Sequence, residues 1–503
     1  MGSSLSPPAT SRPSTPSVLR RVMEKAGRVL AVASVILLPA HEALAQSGGR
    51  TQTIIRDAEI EALLSEYTRP ILQTAGLGRQ NVEVVLIGER SFNAFVADGR
   101  RIFINTGALM DAQTPNQIIG VLAHETGHIA GGHLARMREQ IAGAQTMAIV
   151  AMLLAGAGAA AGAAAGAGGS NMGQAAAAGM SLPQEMARRS ILSYQRGEEQ
   201  AADRAAIRYL AATGQSAKGM LETFQRLQND QLFMSQRIDP YLISHPMARE
   251  RIGTLEQLAR NSPHYNRKDS PSLQARHDLM RAKLVGFTER PETVNRKYPA
   301  SDTSLAADYA RAISAYLYGN IDRAVAQIDG LIARQPNNPY FYELKGQALL
   351  EGGRASQAVP PLRKAVELSN GAPLIRTMLG QALVQSGQGG GAAGLPGGSG
   401  SGGRSGGSNT QDAIRELILA TQREPESPTA WRALAIAYGK RGDKPNADLA
   451  SANAAWSSGD FETARQLAAR ARRDFPKGSP GWLKADDLLN LEPPVKRDSS
   501  ARR

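Results

Sequence analysis

The sequence predicts an α+β chain that is mostly helical, in which a first domain with a small sheet is followed by an all-α solenoid of helical repeats. Three observations carry this. Two short β-branched runs, 81–87 and 102–105, lie among segments of helical periodicity. Thr114 to His128 reads as a capped core helix. After Pro299, Gly319, Gly353 and Gly387 fall 34 residues apart, the spacing of stacked helical hairpins.

The 503 residues are enough for two to four domains, and 42% hydrophobic with 20% charged residues fits an ordinary folded chain. The net charge of +13 is scattered rather than striped, and no nucleic-acid motif accompanies it, so nucleic acid is not an expected partner. With no cysteine, disulfides and thiolate metal ligands are excluded, and any metal must be held by His and carboxylate.

Taken in order, residues 1–17 are Ser- and Pro-rich and are expected to be disordered. Arg20, Arg21, Lys25 and Arg28 then precede the apolar run 29–40, and Ala43-Leu-Ala45 has the small-residue pattern of a cleavage site, so 1–45 reads as a signal peptide for export. A domain is expected over 46–262. Residues 56–75 have helical spacing, 81–87 alternates as a strand, Asp98-Gly99 marks a turn, and Ile102, Phe103, Ile104 and Asn105 return as the partner strand of a hairpin.

The next helix carries the chemistry. Thr114 and Gln117 form a capping-box pattern with Pro115 at the first helical position. His124 and His128, four residues apart, project from one face and can reach one metal ion, for which zinc is expected. Glu125 beside them is the candidate general base. Ile118, Ile119, Val121, Leu122 and Ile129 mark a core helix, where unpaired His and Glu would be costly. Gly127, Gly131 and Gly132 weaken the helix and imply that another backbone or a substrate comes close.

A third ligand must come from elsewhere. His133 is one residue short of the spacing of a third helical histidine ligand and, continuing the same helix, would point away from His124. Glu199 is the better candidate. Asp203, on the same face one turn later, would accept the N–H of a metal-bound histidine. Alternatively, Glu198, Glu199, Asp203 and Arg204 form a solvated helical face.

Residues 140–184 carry no charge and are rich in Ala and Gly in their centre, a lid or membrane-contacting insert, or else a flexible linker. Helices are expected over 185–214, 220–236 and from Pro246 to 261. A linker with a connecting helix at 273–287 fills 263–302. Repeats occupy 303–490, interrupted by a Gly/Ser-rich loop at 388–408 that is expected to be disordered, and 491–503 is a disordered tail. The period of 34 is that of tetratricopeptide repeats, whose concave face binds protein.

His-Glu-Thr-Gly-His at 124–128, Arg196 to Asp203, Ser244-His-Pro246 with Arg251-Ile252, Ser91 to Phe95 and Ile102 to Gly107 together resemble the gluzincin family of the CAAX prenyl endopeptidase and the membrane heat-shock protease HtpX. The resemblance spans most of 50–260. Gln195 and Ala201 depart from the family pattern at positions that are not ligands. It implies a zinc metallopeptidase domain with His124, His128 and Glu199 as ligands. His245 near the metal is then a helix cap, an oxyanion donor or a fourth ligand that plugs the site. The strand Ile102 to Asn105, with Asn93, would lie at the sheet edge and pair with an extended peptide. With an export signal before it and repeats after it, the implied activity is cleavage of unfolded or misassembled envelope proteins, with the repeats engaging these or the outer-membrane assembly machinery. Peripheral membrane contact is a secondary expectation. The competing class is a noncatalytic chaperone or scaffold, in which the metal site is structural.

Overall fold

The structure, a computed structural model, describes residues 38–39, 53–143, 195–233, 245, 249–387 and 402–493. Most of the expected signal peptide, most of the Ala/Gly-rich insert, residues 388–401 of the Gly/Ser-rich loop and most of the tail lie outside the described residues. Strands β2 (Thr53–Ile55), β3 (Glu83–Ile87), β4 (Ala94–Val96) and β5 (Arg101–Asn105) form a small mixed sheet, to which the two-residue β1 (Leu38–Pro39) adds at one side, in the order β1-β2-β3-β5-β4.

The expected hairpin between 81–87 and 102–105 is not what forms. β3 and β5 pair in parallel, with Val84 opposite Ile102 and Leu86 opposite Ile104. The tight turn at Asp98-Gly99 instead joins β4 to β5 antiparallel. Gly99 adopts a left-handed φ of 78° there, and Asp98 Oδ1 accepts from the backbone N–H of Arg100 and Arg101. A short turn can join only antiparallel neighbours, so the strand beside the turn takes the hairpin and β3 is left the parallel position. As a result Ile102, Phe103, Ile104 and Asn105 are buried on an interior strand whose ladder is paired on both sides. They cannot receive a peptide strand. The outer strand on this side of the sheet is β4.

Helix α1 (Ala58–Thr74) starts at Asp57, whose side chain accepts from Ile60 N, and buries Ile60, Leu64, Tyr67 and Ile71 against the sheet. After the short α2 (Thr106–Asp111) comes α3 (Pro115–Gly131), the metal-motif helix. Its capping box forms differently from expectation, for Thr114 makes no side-chain cap. Gln117 Oε1 reaches back to Gln113 N at 2.7 Å, and the free N–H of Asn116 is taken by Asp269 Oδ2 at 2.9 Å, a partner far along the chain. Among the described residues, the remaining helices of this domain are α4 (133–143), α5 (195–212), α6 (Lys218–Phe233) and α7 (Arg249–Arg260). Gly120 lets α3 lie almost backbone to backbone on α6, since a methyl there would meet the Cα and Cβ of Met220. Close contact here fixes the depth of α3 in the core.

The segment expected as a linker is core. Helix α8 (Pro271–Thr288) puts Met280, Leu284 and Val285 into the first domain and Leu279 into the repeats, so it is apolar on two sides because it is shared. Beyond α9 (Pro291–Lys297), helices pair as hairpins: α10 (Leu305–Tyr318) with α11 (Ile321–Arg334), α12 (Pro339–Glu351) with α13 (Ala355–Leu368), and α14 (Pro373–Ser386) with α15 (Gly402–Arg423). Two further hairpins follow, α16 (Pro428–Lys440) with α17 (Lys444–Ser457) and α18 (Phe461–Asp474) with α19 (Pro480–Asn490). Gly346 and Gly380, one period apart, each leave room for a leucine of the partner helix, Leu362 and Leu417 respectively. α15 begins at Gly402, so the last residues of the expected loop are helical. Once the turns from Asn409 onward are packed, each residue added toward the N-terminus gains a hydrogen bond at little further cost.

Two polar networks, one buried and one half-buried, cross between the halves. Lys283 on α8 lies 2.8 Å from Asp57 Oδ2 and 3.2 Å from Glu59 Oε2, and Tyr309 Oη donates to Glu59 Oε2 at 2.9 Å. Glu343 on α12 is buried nearby, and burial pushes its carboxyl up to about 8. Arg56 pairs with Glu61 and reaches Glu424 on α15 at 3.1 Å. Deeper in α8, buried His277 places Nε2 at 3.0 Å from Ala112 O and Nδ1 at 3.1 Å from Tyr67 Oη, bonds that suit the neutral ring.

Burial, aided by Arg281, lowers His277 to about 4, below its ordinary value of 6.5. Below pH 6.5 the unfolded chain therefore gains a proton that the folded ring refuses until pH 4. Stability contributed by the neutral ring is present above pH 6.5 and lost as pH falls toward 4, a loss of about 3 kcal/mol at the full shift. In denaturant titrations, His277→Gln should remove that part of the acid slope, and an unchanged slope between pH 6.5 and 4 would refute the assignment.

Candidate metal centre

The core position of α3 turns its two histidines inward. His124 is fully buried and the His128 side chain is 13% exposed, and their Nε2 atoms are 3.0 Å apart. Glu199 comes from α5, which can approach because Gly127 has no side chain; a methyl there would press on the backbone of Ala202. Glu199 Oε2 is 3.4 Å from His124 Nε2 and Glu199 Oε1 is 3.4 Å from His128 Nε2. His245 completes the group, with Nδ1 3.0 Å from Glu199 Oε1 and 3.4 Å from His124 Nε2.

These four residues offer one ligand atom each, all within 4.8 Å of one another, and among the described residues they form the group that could hold a metal ion. Four donors at about 2.1 Å in a tetrahedron would be roughly 3.4 Å apart, so most of the separations are already those of a closed coordination shell. The donor chemistry, imidazole with one carboxylate, fits a divalent transition metal. Glu125 lies beside the shell, fully buried, with neither carboxylate oxygen hydrogen-bonded and with Oε1 3.6 Å from His245 Nε2. An orphaned buried carboxylate is costly unless something polar is to meet it, and burial pushes its pKa above the ordinary carboxylate value.

Charge around the shell is organised from α5 and α7. Asp203 Oδ1 is 3.0 Å from His124 Nδ1, the position expected for an orienting carboxylate. Arg251 holds both acids: Nη1 is 2.8 Å from Glu199 Oε2, Nε is 2.6 Å from Asp203 Oδ2, and its guanidinium lies over Phe224. Burial alone would raise the two carboxyls, but His245, His124 and Arg251 hold Glu199 well below the usual carboxylate range, and Arg251 with His124 lowers Asp203. Burial disfavours charge on His124, yet Asp203 and Glu199 outweigh it and raise the ring to about 9 without metal. The solvated-face reading of α5 is thereby excluded for Glu199 and Asp203, which are both buried.

Residues 55–259 match the family model for Peptidase family M48. This part of the chain is an M48 metallopeptidase. Residues 308–373 match a tetratricopeptide repeat model. Along its length the chain is 24% identical over 428 residues to the Beta-barrel assembly-enhancing protease of Yersinia pestis, covering 83% of this chain and 81% of that protein. It is 27% identical over 352 residues to the protein of that name from Escherichia coli K12, covering 67% of each.

Within the M48 domain, the structure brings His124, Glu125, His128, Glu199, Asp203 and His245 together. It does not bring Ile102, Phe103, Ile104 or Asn105 to an open edge. Asn93 lies at the start of the β4 edge, its carbonyl accepting from Asn105 N at 2.9 Å. The glycines expected to meet a backbone divide: Gly127 faces Ala202, Gly132 is the left-handed cap of α3 with φ 64°, and Gly131 makes room for the ring of His133. His133 does not continue α3, and instead of pointing away it returns onto His128. Arg251 was visible as part of the Arg-Ile pair, but no spacing rule ties it to acids some fifty residues earlier. Only the excess of buried carboxylates hints that a cation must arrive.

Replacing Arg251 by Leu should leave two buried acids without their cation and destabilise the metal-free protein by about 3–5 kcal/mol. Chemical denaturation checks this, and a loss below about 1 kcal/mol would show that the histidines suffice as counter-charge.

Proposed function

We propose that the chain is an exported zinc endopeptidase that cleaves unfolded or misassembled envelope proteins, including outer-membrane proteins, with the repeats engaging these or the assembly machinery. The observation that carries it is the orphaned Glu125 carboxylate set against a four-donor shell. A structural metal site needs no such group, which tells against the scaffold reading. Zinc, when bound, supplies Lewis acidity that polarises a peptide carbonyl and lowers the pKa of water to about 7. Glu125 is placed to take the proton of the attacking water and return it to the departing amine. An extended substrate would add to the β4 edge, which packs on α3, so that backbone hydrogen bonds give affinity with little demand on sequence. Export is supported by the basic, apolar and small-residue order of the first 45 residues. No helix among the described residues is long and apolar enough to cross a membrane. The envelope substrates are inferred from the name of the relatives and from the protein-binding character of the repeats.

His245 is read as the resting occupant of the position that a catalytic site must keep open. Its Nδ1 stands among the ligand atoms, 3.0 Å from Glu199 Oε1, and this favours the plug over the oxyanion donor or the cap.

Glu125→Gln should keep zinc stoichiometry and fold while peptide hydrolysis falls about 10²-fold or more; full activity in that variant would end the protease reading. His245→Ala should raise basal cleavage of an unfolded protein such as casein. A hundredfold drop would make His245 a catalytic donor instead.

A further inference from the structure

His133 is a buried ionisable group beside the shell that the mechanism leaves unused, and its surroundings are specific. Its Nδ1 is 2.9 Å from His128 Nδ1, with the two rings edge to face, and its Nε2 is 2.7 Å from Glu198 Oε2. Glu198 also pairs with Arg136 Nη2 at 2.8 Å, and another Arg136 nitrogen donates to Gly131 O. The chain reaches this arrangement by breaking the helix. Gly132 turns through a left-handed conformation and Gly131 leaves the volume that the imidazole of His133 fills.

The proton inventory has one solution. His128 Nε2 faces the ligand atoms of the shell, so it must present a lone pair, and the neutral ring then carries its proton on Nδ1. That N–H points at His133 Nδ1, which must accept it. His133 therefore carries its own proton on Nε2, where Glu198 accepts. Every hydrogen bond in the chain His128, His133, Glu198 runs outward from the shell.

We propose that His133, held by Glu198, is a positioning residue that fixes the tautomer and ring orientation of His128 for metal binding. The inference rests on the metal reading of the shell. It gives His128 what Asp203 gives His124, so that α5 serves the site three times: Glu199 as ligand, Asp203 behind one histidine, and Glu198 behind the other through His133. His133 offers no ligand atom to the shell and meets it through His128.

The test measures zinc affinity by competition with a chromophoric chelator, beside the melting temperature of the metal-free protein. His133→Ala should weaken zinc 10- to 100-fold, the usual effect of losing an outer partner, with the metal-free melting temperature unchanged. His133→Gln can accept from His128 with its carbonyl and donate to Glu198 with its amide, and it should recover most of the affinity. Zinc bound by His133→Ala as tightly as by wild type would overturn the proposal. So would an equal loss of affinity and melting temperature in both variants, which would make His133 a packing residue. Wild-type protein that binds no zinc would overturn the metal reading itself, an outcome distinct from these.

Discussion

Burying two carboxylates on one helix is the constraint around which the M48 domain is arranged. Glu199 and Asp203 are each almost without solvent, and in a low-dielectric interior neither can stay ionised alone. Arg251 meets both, which obliges α7 to lie across α5 and obliges Phe224 of α6 to cover the guanidinium. The acids in turn must reach α3, and Gly127 permits that approach. The shell is thus held by contacts that exist before any metal arrives, so the ligands lose little freedom on binding.

Much of this was legible in the residues because local rules governed it. The i, i+4 spacing of His124 and His128, and of Glu199 and Asp203, follows from one helical turn, and the structure uses both pairs as that geometry dictates. The repeats were legible because a solenoid repeats its packing: Leu417 fills Gly380 as Leu362 fills Gly346, although the Gly/Ser-rich insertion separates the second pair from the bare period.

What stayed hidden was set by partners distant in sequence. Pairing between β3 and β5 could not be assigned a direction from two apolar runs, and the choice decided whether Ile102 to Asn105 were edge or interior. The cap of Asn116 is an aspartate about 150 residues later. The contact of His133 with His128 was not legible because a helix was assumed to continue through Gly131-Gly132, where the left-handed turn ends it. The second glycine held that information, and its spacing from the motif did not.

The network of Lys283, Asp57, Glu59 and Tyr309 makes the chain resistant to dissection. Helix α8 belongs to both cores, and a cut after it would bring water to an ammonium and two acids that are now sealed by Tyr309 of α10. Peptidase and repeats are therefore coupled parts of one cooperative body, and a truncated fragment would be a different thermodynamic object from the same residues within the whole. Loss of function after such a cut would speak to the integrity of the seam as much as to the recognition of cargo.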